Sequence, residues 1–208
     1  MGFRFFTAAG MEQTTIVQPT FVTTLPATPF DGQEVYYQST TAGTGGGASN
    51  SMASVGAVWH LRYRAAASGS YKWEVVGASP IGMGVGAEEY VSVGTAVYTT
   101  ISANSPKLTV PVAGDYFVTQ VSMISADAAT NVRVGIAVKV NAAAPVAASY
   151  NVSDFQVGNG EFLSLSGNGR ETFAKDDALT QVYVQRSGAT KNLYRNGASL
   201  FITPIRVG

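Results

Sequence analysis

Chemistry in this chain would have to begin from a histidine, a thiol or a paired set of carboxylates, and the supply is thin. His60 is the one histidine among 208 residues, and there is no cysteine. That removes thiol nucleophiles, zinc-thiolate sites and iron-sulfur clusters together, and a single histidine rules out a multi-histidine metal site within one chain. His60 lies in Ala57-Val-Trp-His-Leu-Arg-Tyr-Arg64, a strand-like alternation lined by aromatics, where a hydrogen-bonded structural imidazole is the expected reading. Asp176 and Asp177 are adjacent and, with loop carbonyls, offer oxygen ligands of the kind calcium takes; a turn with solvated carboxylates is the plainer outcome. Asp115, Asp154, Glu161 and Glu171 are scattered, and no spacing selects an acid and a base across a cleft. The residues therefore predict no enzyme, no metal and no cofactor.

Charge points the same way. Lys and Arg number 13 against 13 for Asp and Glu, and charged residues are 12% of the chain. No field exists to steer a polyanion, so nucleic-acid binding is not expected. A surface this poor in charge, at zero net charge, favours association, which predicts an assembly component. The opening Met1-Gly-Phe-Arg-Phe-Phe-Thr-Ala-Ala-Gly10 lacks the apolar run of a secretion signal, and no segment approaches the roughly 20 apolar residues of a membrane span. A membrane partner is not expected. Asn151-Val-Ser153 is a formal glycosylation sequon of a kind that arises by chance and carries no weight.

The elements that must position these residues are strands. Residues 1–24 read as an extended arm, with Phe3 and Phe5 alternating, Ile16 and Phe21 further on, and Pro19 blocking a helix. Such an arm is expected to order on a partner surface through Phe3, Phe5, Ile16 and Phe21. Residues 25–83 form a small β module: Leu25 to Gln33 is turn chemistry, Glu34 to Thr40 a strand, Thr41 to Asn50 a glycine-rich loop, and Ala57 to Arg64 a strand pairing with Tyr71 to Val76. Trp59, Tyr63, Tyr71 and Trp73 then share one face as a structural aromatic cluster, and Arg62 or Arg64 faces Glu74. Pro80, Gly82, Gly84 and Gly86 read as a linker, which puts a domain boundary near residue 84.

Residues 84–208 carry turn signals at the spacing of a sandwich or barrel. Val91 to Ile101 supplies a first strand, and Val132 to Val140 alternates without a break. Phe155 to Val157, Glu161 to Leu165, Ala178 to Arg186 and Ala198 to Val207 follow, separated by Gly158-Asn-Gly160, Gly167-Asn-Gly169, Ser187-Gly188 and Asn196-Gly197. Most informative is Ser105 to Ile124, which reads as two alternating strands joined at an Ala113-Gly114-Asp115 corner, with Leu108, Val110 and Val112 on one face and Pro111 marking an edge or a bulge. The predicted fold class is all-β, a small antiparallel module followed by a sandwich.

That corner, the turn and strand of Lys175 to Val184, and the ending Asn196 to Ile205 together resemble the C1q/TNF-like jelly roll over about residues 90–208. The chain departs from that pattern at Asp177, where a residue other than Asp is common, and in lacking a Gly-x-y stalk. The resemblance implies a trimer, a homotrimer with Tyr98, Tyr116, Tyr183 and Phe201 as interface candidates. Tyrosines at 90, 98, 116, 150, 183 and 194 are either core or contacts around a threefold axis. Residues 25–81 are similar to a small module of tailed-bacteriophage virion proteins, on Leu25 to Tyr37, Val58 to Arg64 and Tyr71 to Gly77. This resemblance implies a bacteriophage structural protein at the virion surface, assembled in the bacterial host cytoplasm, with the major capsid protein or tail and baseplate proteins as partner. Two roles follow: a capsid decoration or head-fibre protein that stabilises the head, or a minor tail protein forming a tail or baseplate fibre head that binds a host cell-surface glycan or protein. The short chain, without a long repetitive shaft, favours the first.

Overall fold

The computed structural model describes residues 5–7, 10–12, 20–40, 51–53, 56–93, 105–126, 132–143, 155–157, 163–185 and 191–208. Among these there is no helix, and so none long and apolar enough to cross a membrane. The strands are β1 (Phe5–Thr7), β2 (Gly10–Glu12), β3 (Thr20–Val22), β4 (Glu34–Gln38), β5 (Ser51–Ala53), β6 (Val58–Tyr63), β7 (Trp73–Ala78) and β8 (Ile81–Val93). They continue as β9 (Lys107–Thr109), β10 (Gly114–Ala126), β11 (Val132–Val140), β12 (Phe155–Val157), β13 (Leu163–Phe173), β14 (Ala178–Gln185) and β15 (Lys191–Val207).

Eight of them, β8 to β15, make a two-sheet sandwich. One sheet runs β13-β10-β15-β8, with the short β5 paired along the other side of β8, and the other runs β12-β11-β14-β9, every neighbouring pair antiparallel. Counted from β8 as first, the sheets read sixth-third-eighth-first and fifth-fourth-seventh-second, which is the strand order of a jelly roll. The expected all-β sandwich is therefore present. The corner at residues 113–115 carries the chain from β9 in one sheet to β10 in the other, and Tyr116 closes it by donating its hydroxyl to the Val112 carbonyl. Gly114 is required there, because a Cβ would lie 2.3 Å from the Arg206 carbonyl oxygen. As Pro111 suggested, β9 is an end strand of its sheet.

The small module is not separated from the sandwich. Its sheet, β7-β6-β4-β3, continues from the C-terminal end of β15 through Arg206↔Glu74 and Val207↔Trp73. One core cluster contains Val35, Tyr37, Trp59, Leu61 and Trp73 together with Leu108, Tyr116, Val118, Phe173, Leu200 and Ile202. Residue 84 falls inside β8, so the glycine-rich stretch is a strand rather than a linker. Gly82 meets a close neighbour: a Cβ there would sit 1.9 Å from Phe201 Cδ1. The bare backbone lets an aromatic from the adjacent strand fold across it.

Two other turn readings give way to long-range pairing. Gly167-Asn168-Gly169 lies within β13, opposite Val118 to Gln120 of β10. Asn196-Gly197 is a bulge inside β15, with Gly197 at φ 85°. The first strand starts at Ile81 rather than Val91; residues 94–104 lie outside the described residues.

A polar layer crosses the sandwich interior near the bulges of β10 and β15. Gln181, fully buried, donates to the carbonyls of Val121 (3.2 Å) and Ser199 (3.4 Å) in the opposite sheet, and Tyr183 donates to its Oε1 (3.1 Å). Ser122 joins Tyr183 at 2.8 Å and reaches the Gly197 carbonyl at 3.3 Å. These side chains satisfy carbonyls at the irregular ladder, where leaving a buried polar group unpaired is costly.

Candidate assembly interface

No group of three metal-ligating side chains occurs among the described residues. His60 bonds Glu34 Oε2 at 2.9 Å, and Arg62 closes on Glu34 Oε1 at 2.6 Å. Those two partners, Arg62 first, hold the Glu34 carboxyl below its ordinary value. Arg64, not Arg62, bonds Glu74, at 3.3 Å, although Arg62 is the residue in register with it. Asp177 spends its carboxylate on a brace, accepting from Asn141 Nδ2 (2.7 Å) and from the Ala174 amide (2.8 Å). Asn141 and Asp176, both at positive φ, sit in the two turns this brace ties together. Asp115 is held below its ordinary value, foremost by the Thr172 hydroxyl (2.6 Å) and then by Arg170 (2.6 Å). Asp154 and Glu161 lie outside the described residues.

The interface candidates divide. Tyr116 and Tyr183 are fully buried in the chain's own sandwich, with hydroxyls bonded inside it, so they belong to the core and not to an interface between copies. Burial drives the Tyr116 hydroxyl to a much higher pKa. Tyr98 lies outside the described residues. Phe201 is half-buried on the outer face of the β13-β10-β15-β8 sheet, across Gly82.

The arm expectation changes in part. Phe3 and Ile16 lie outside the described residues, and of Phe5 only its place in β1 is described. Phe21, 64% exposed, belongs to the chain's own sheet: β3 pairs in parallel with β4, and the Phe21 ring stacks on Tyr36 at 5.1 Å. Pairing and stacking tie residues 20–22 to the module instead of leaving them for a partner. In the aromatic cluster Trp59 and Trp73 are buried. Trp73 meets Tyr63 edge-on at 5.3 Å, while Trp59 stacks on Tyr37 at 5.2 Å and reaches Tyr116 at 6.1 Å. Trp59 thus joins the module to the sandwich, and Tyr71 is half-buried.

What the residues alone did not single out is the outer face of β10. Phe117, Val121 and Met123 are 43%, 36% and 42% exposed, in a row along one strand. On the flanking β13 the outward residues are Ser164, Ser166 and Asn168, all exposed. On β15 they are Ser199 and Phe201, and on β8 Gly82 and Gly84. From Thr119 to Met123 none of the described outward residues is charged; the Asp115–Arg170 pair stands at the lower end. At about 3.4 Å per residue and about 4.8 Å per strand, four strands over seven residues make a face on the order of 450 Å². A signal was present in the sequence: apolar residues in both phases of β10, the mark of a strand covered on two sides.

No protein-family model matches the chain, and no curated protein matches it. Among solved structures, the chain is similar to the infectious bursal disease virus VP2 subviral particle (8% identity, TM-score 0.46) and to the same virus's Gx strain (10%, 0.45), covering 87% of this chain and 54% of each of those. It is also similar to the CBM22-1 xylan-binding domain of Paenibacillus barcinonensis Xyn10C (11%, 0.34), over 87% of this chain and 100% of that one. The chain thus spans about half the length of the virus proteins it matches.

Proposed function

We propose that the chain is a non-enzymatic structural protein of a tailed-bacteriophage virion, a homotrimer that decorates the capsid exterior and stabilises the head. Its arm and small sheet grip the shell, and its jelly roll projects. One observation carries the assembly: the exposed row of Phe117, Val121 and Met123 on an uncharged sheet face. Neighbouring exposed apolar side chains along one strand of a soluble protein mark an interaction site, and a surface that repels no copy of itself favours self-association. The virion setting rests on the resemblance of residues 25–81 and 90–208 to virion modules and trimeric jelly rolls. The major capsid protein is the partner in this reading.

Light scattering on the full chain, followed by co-sedimentation with undecorated capsids, tests it. A trimer is expected at micromolar concentration, Val121→Asp should reduce it to monomer, and the native trimer should sediment with heads. Deleting residues 1–19, which leaves β3 in its sheet, should abolish sedimentation without dissolving the trimer. Three weak arms on one trimer raise effective concentration, so the loss should be steep. A persistent monomer refutes the assembly. Failure of the trimer to bind heads moves the protein to the tail or baseplate, where a host-surface glycan or protein is the partner.

A further inference from the structure

The sheet edges are not treated alike. A strand at the end of a sheet leaves a row of backbone amides and carbonyls unpaired, and proteins keep such rows short, charged, bulged or interrupted by proline. Four end strands of the two large sheets, β3, β5, β9 and β12, are three residues long. The fifth, β13, runs eleven residues, and among the described residues nothing pairs with its outer edge. Its register with β10 is unbroken from Gly114↔Phe173 to Ile124↔Leu163, so no bulge turns it away. It contains no proline. Its two charges, Arg170 and Glu171, lie toward one end, where Arg170 is paired with Asp115 at 2.6 Å; from Leu163 to Gly169 the strand is uncharged.

We propose that the free edge of β13 pairs with the β13 edge of a second copy, antiparallel about a twofold axis through Ser166. The order of residues along the strand selects both the partner and the register. Pairing centred on Ser166 sets Ser166 beside Ser166 of the second copy, Ser164 beside Asn168 of the second copy and Leu165 beside Gly167 of the second copy, with the reciprocal pairs given by symmetry. Ser164, Ser166 and Asn168 are exposed on the outer face, where small polar side chains hydrogen-bond across the seam. Leu165 and Gly167 are buried in the other phase, where a bulky residue meets one without a side chain. Arg170 and Glu171 fall beyond the paired run, so no like charges meet. Seven residues at about 3.4 Å each, paired to a depth of about 10 Å, bury on the order of 500 Å² over both copies, below the roughly 1,000 Å² of a stable solution interface. The contact is therefore scarce at micromolar concentration and forms where copies are crowded, as on a particle surface. It goes beyond the trimer reading and does not rest on it: the β10 face points out of the sheet, whereas this edge lies in its plane.

The chain has no cysteine, so disulfide trapping of the full-length protein at near-millimolar concentration reads the register directly. Residues 164, 166 and 168 are all exposed, so single cysteines there keep the fold. In the proposed register two residues at 164, or two at 168, lie about 14 Å apart along the strands, beyond the roughly 7 Å that a disulfide spans between Cα atoms. Under copper phenanthroline oxidation, Ser166→Cys should thus give covalent dimers on a non-reducing gel at least about tenfold faster than Ser164→Cys or Asn168→Cys. The Ser164→Cys/Asn168→Cys double variant should recover the fast rate. Adding Ser166→Lys to it sets two ammonium groups face to face and should slow trapping about tenfold. Equal rates for the three single variants would mean random collision and overturn the pairing, as would the absence of a crosslink in every variant. Either outcome leaves the light-scattering test of the trimer untouched, and a monomer in that test leaves this one unchanged.

Discussion

Replacing Trp59 by alanine separates one cooperative unit from two. The indole is fully buried, donates Nε1 to the Ser79 carbonyl at 3.0 Å, stacks on Tyr37 of the small sheet and meets Tyr116 of the sandwich edge-on. A tryptophan buries about 150–250 Å², worth about 4–6 kcal/mol at about 25 cal/mol per Å². Alanine recovers part of that, so a loss of about 3–5 kcal/mol is expected, in line with aromatic truncations in cores. With a urea slope of about 2 kcal/mol/M, the midpoint should fall by about 2 M. Since the chain has two tryptophans, Trp73 is the remaining fluorescence reporter and sits beside Tyr63 in the module. Far-UV circular dichroism follows the strands of both parts. The two signals should move together to the lower midpoint, at matched protomer concentration, since any assembly makes the midpoint concentration-dependent. A drop below about 0.5 M, or a dichroism transition left at the native midpoint while Trp73 unfolds early, would show that the shared core does not couple the parts.

Gly82→Ala and Gly84→Ala should move stability in opposite directions. The first puts a Cβ 2.5 Å from the Leu200 carbonyl oxygen and should cost about 1–3 kcal/mol, while the second meets nothing within 3.9 Å and should be neutral or gain about 0.4–1 kcal/mol, as read by urea midpoints. Gln181→Ala leaves the carbonyls of Val121 and Ser199 without its amide and should cost about 1–3 kcal/mol, with Tyr183→Phe milder; equal stability to the parent would mean the polar layer does not fix the sheets. Asn141→Ala removes both side-chain bonds of the turn brace and leaves an unfavourable positive φ, so a loss of about 1–2 kcal/mol in thermal or urea unfolding is expected, recovered in part by Asn141→Gly. The carboxyls of Asp115 and Glu34 are held below their ordinary values in the folded chain, so their contribution is present at neutral pH and lost as pH falls through those lowered values. Urea midpoints should hold from pH 7 to about 5 and decline below about 4, and the Asp115→Asn/Glu34→Gln variant should show a shallower decline; an unchanged acid slope would refute the assignment.

The sequence by itself determined the class of element and several of their ends. Alternation in Val58 to Tyr63 and Val132 to Val140, the Gly-Asp corner before Tyr116 and the edge proline are local patterns, and the strands follow them because side-chain period and φ/ψ limits act over a few residues. The lack of a second histidine and of any thiol settled in the same way which sites one chain could not build. What only the tertiary structure decided is which phase of a strand faces inward. In β10 the inward phase holds Gln120 and Ser122, and the outward phase holds Phe117, Val121 and Met123, the reverse of what polarity alone would assign. The inward phase is fixed by Tyr116, Val118 and Ile124, which fill the core. Ser122 is tolerated because the Tyr183 hydroxyl of the opposite sheet bonds it, and Gln120 has the Gln181 amide 3.5 Å from its Oε1, although the Gln120 Nε2 finds no partner among the described residues. Likewise Gly167-Asn168-Gly169 and Asn196-Gly197 carry turn chemistry yet lie in strands, since pairing with the long β10, joined for β15 by β8, outweighs a local preference of about 1 kcal/mol. Trp59, placed correctly on the apolar face of its strand, became the joint between module and sandwich only because β7 docks on the end of β15. Contacts between residues more than a hundred positions apart have no local signature in the sequence.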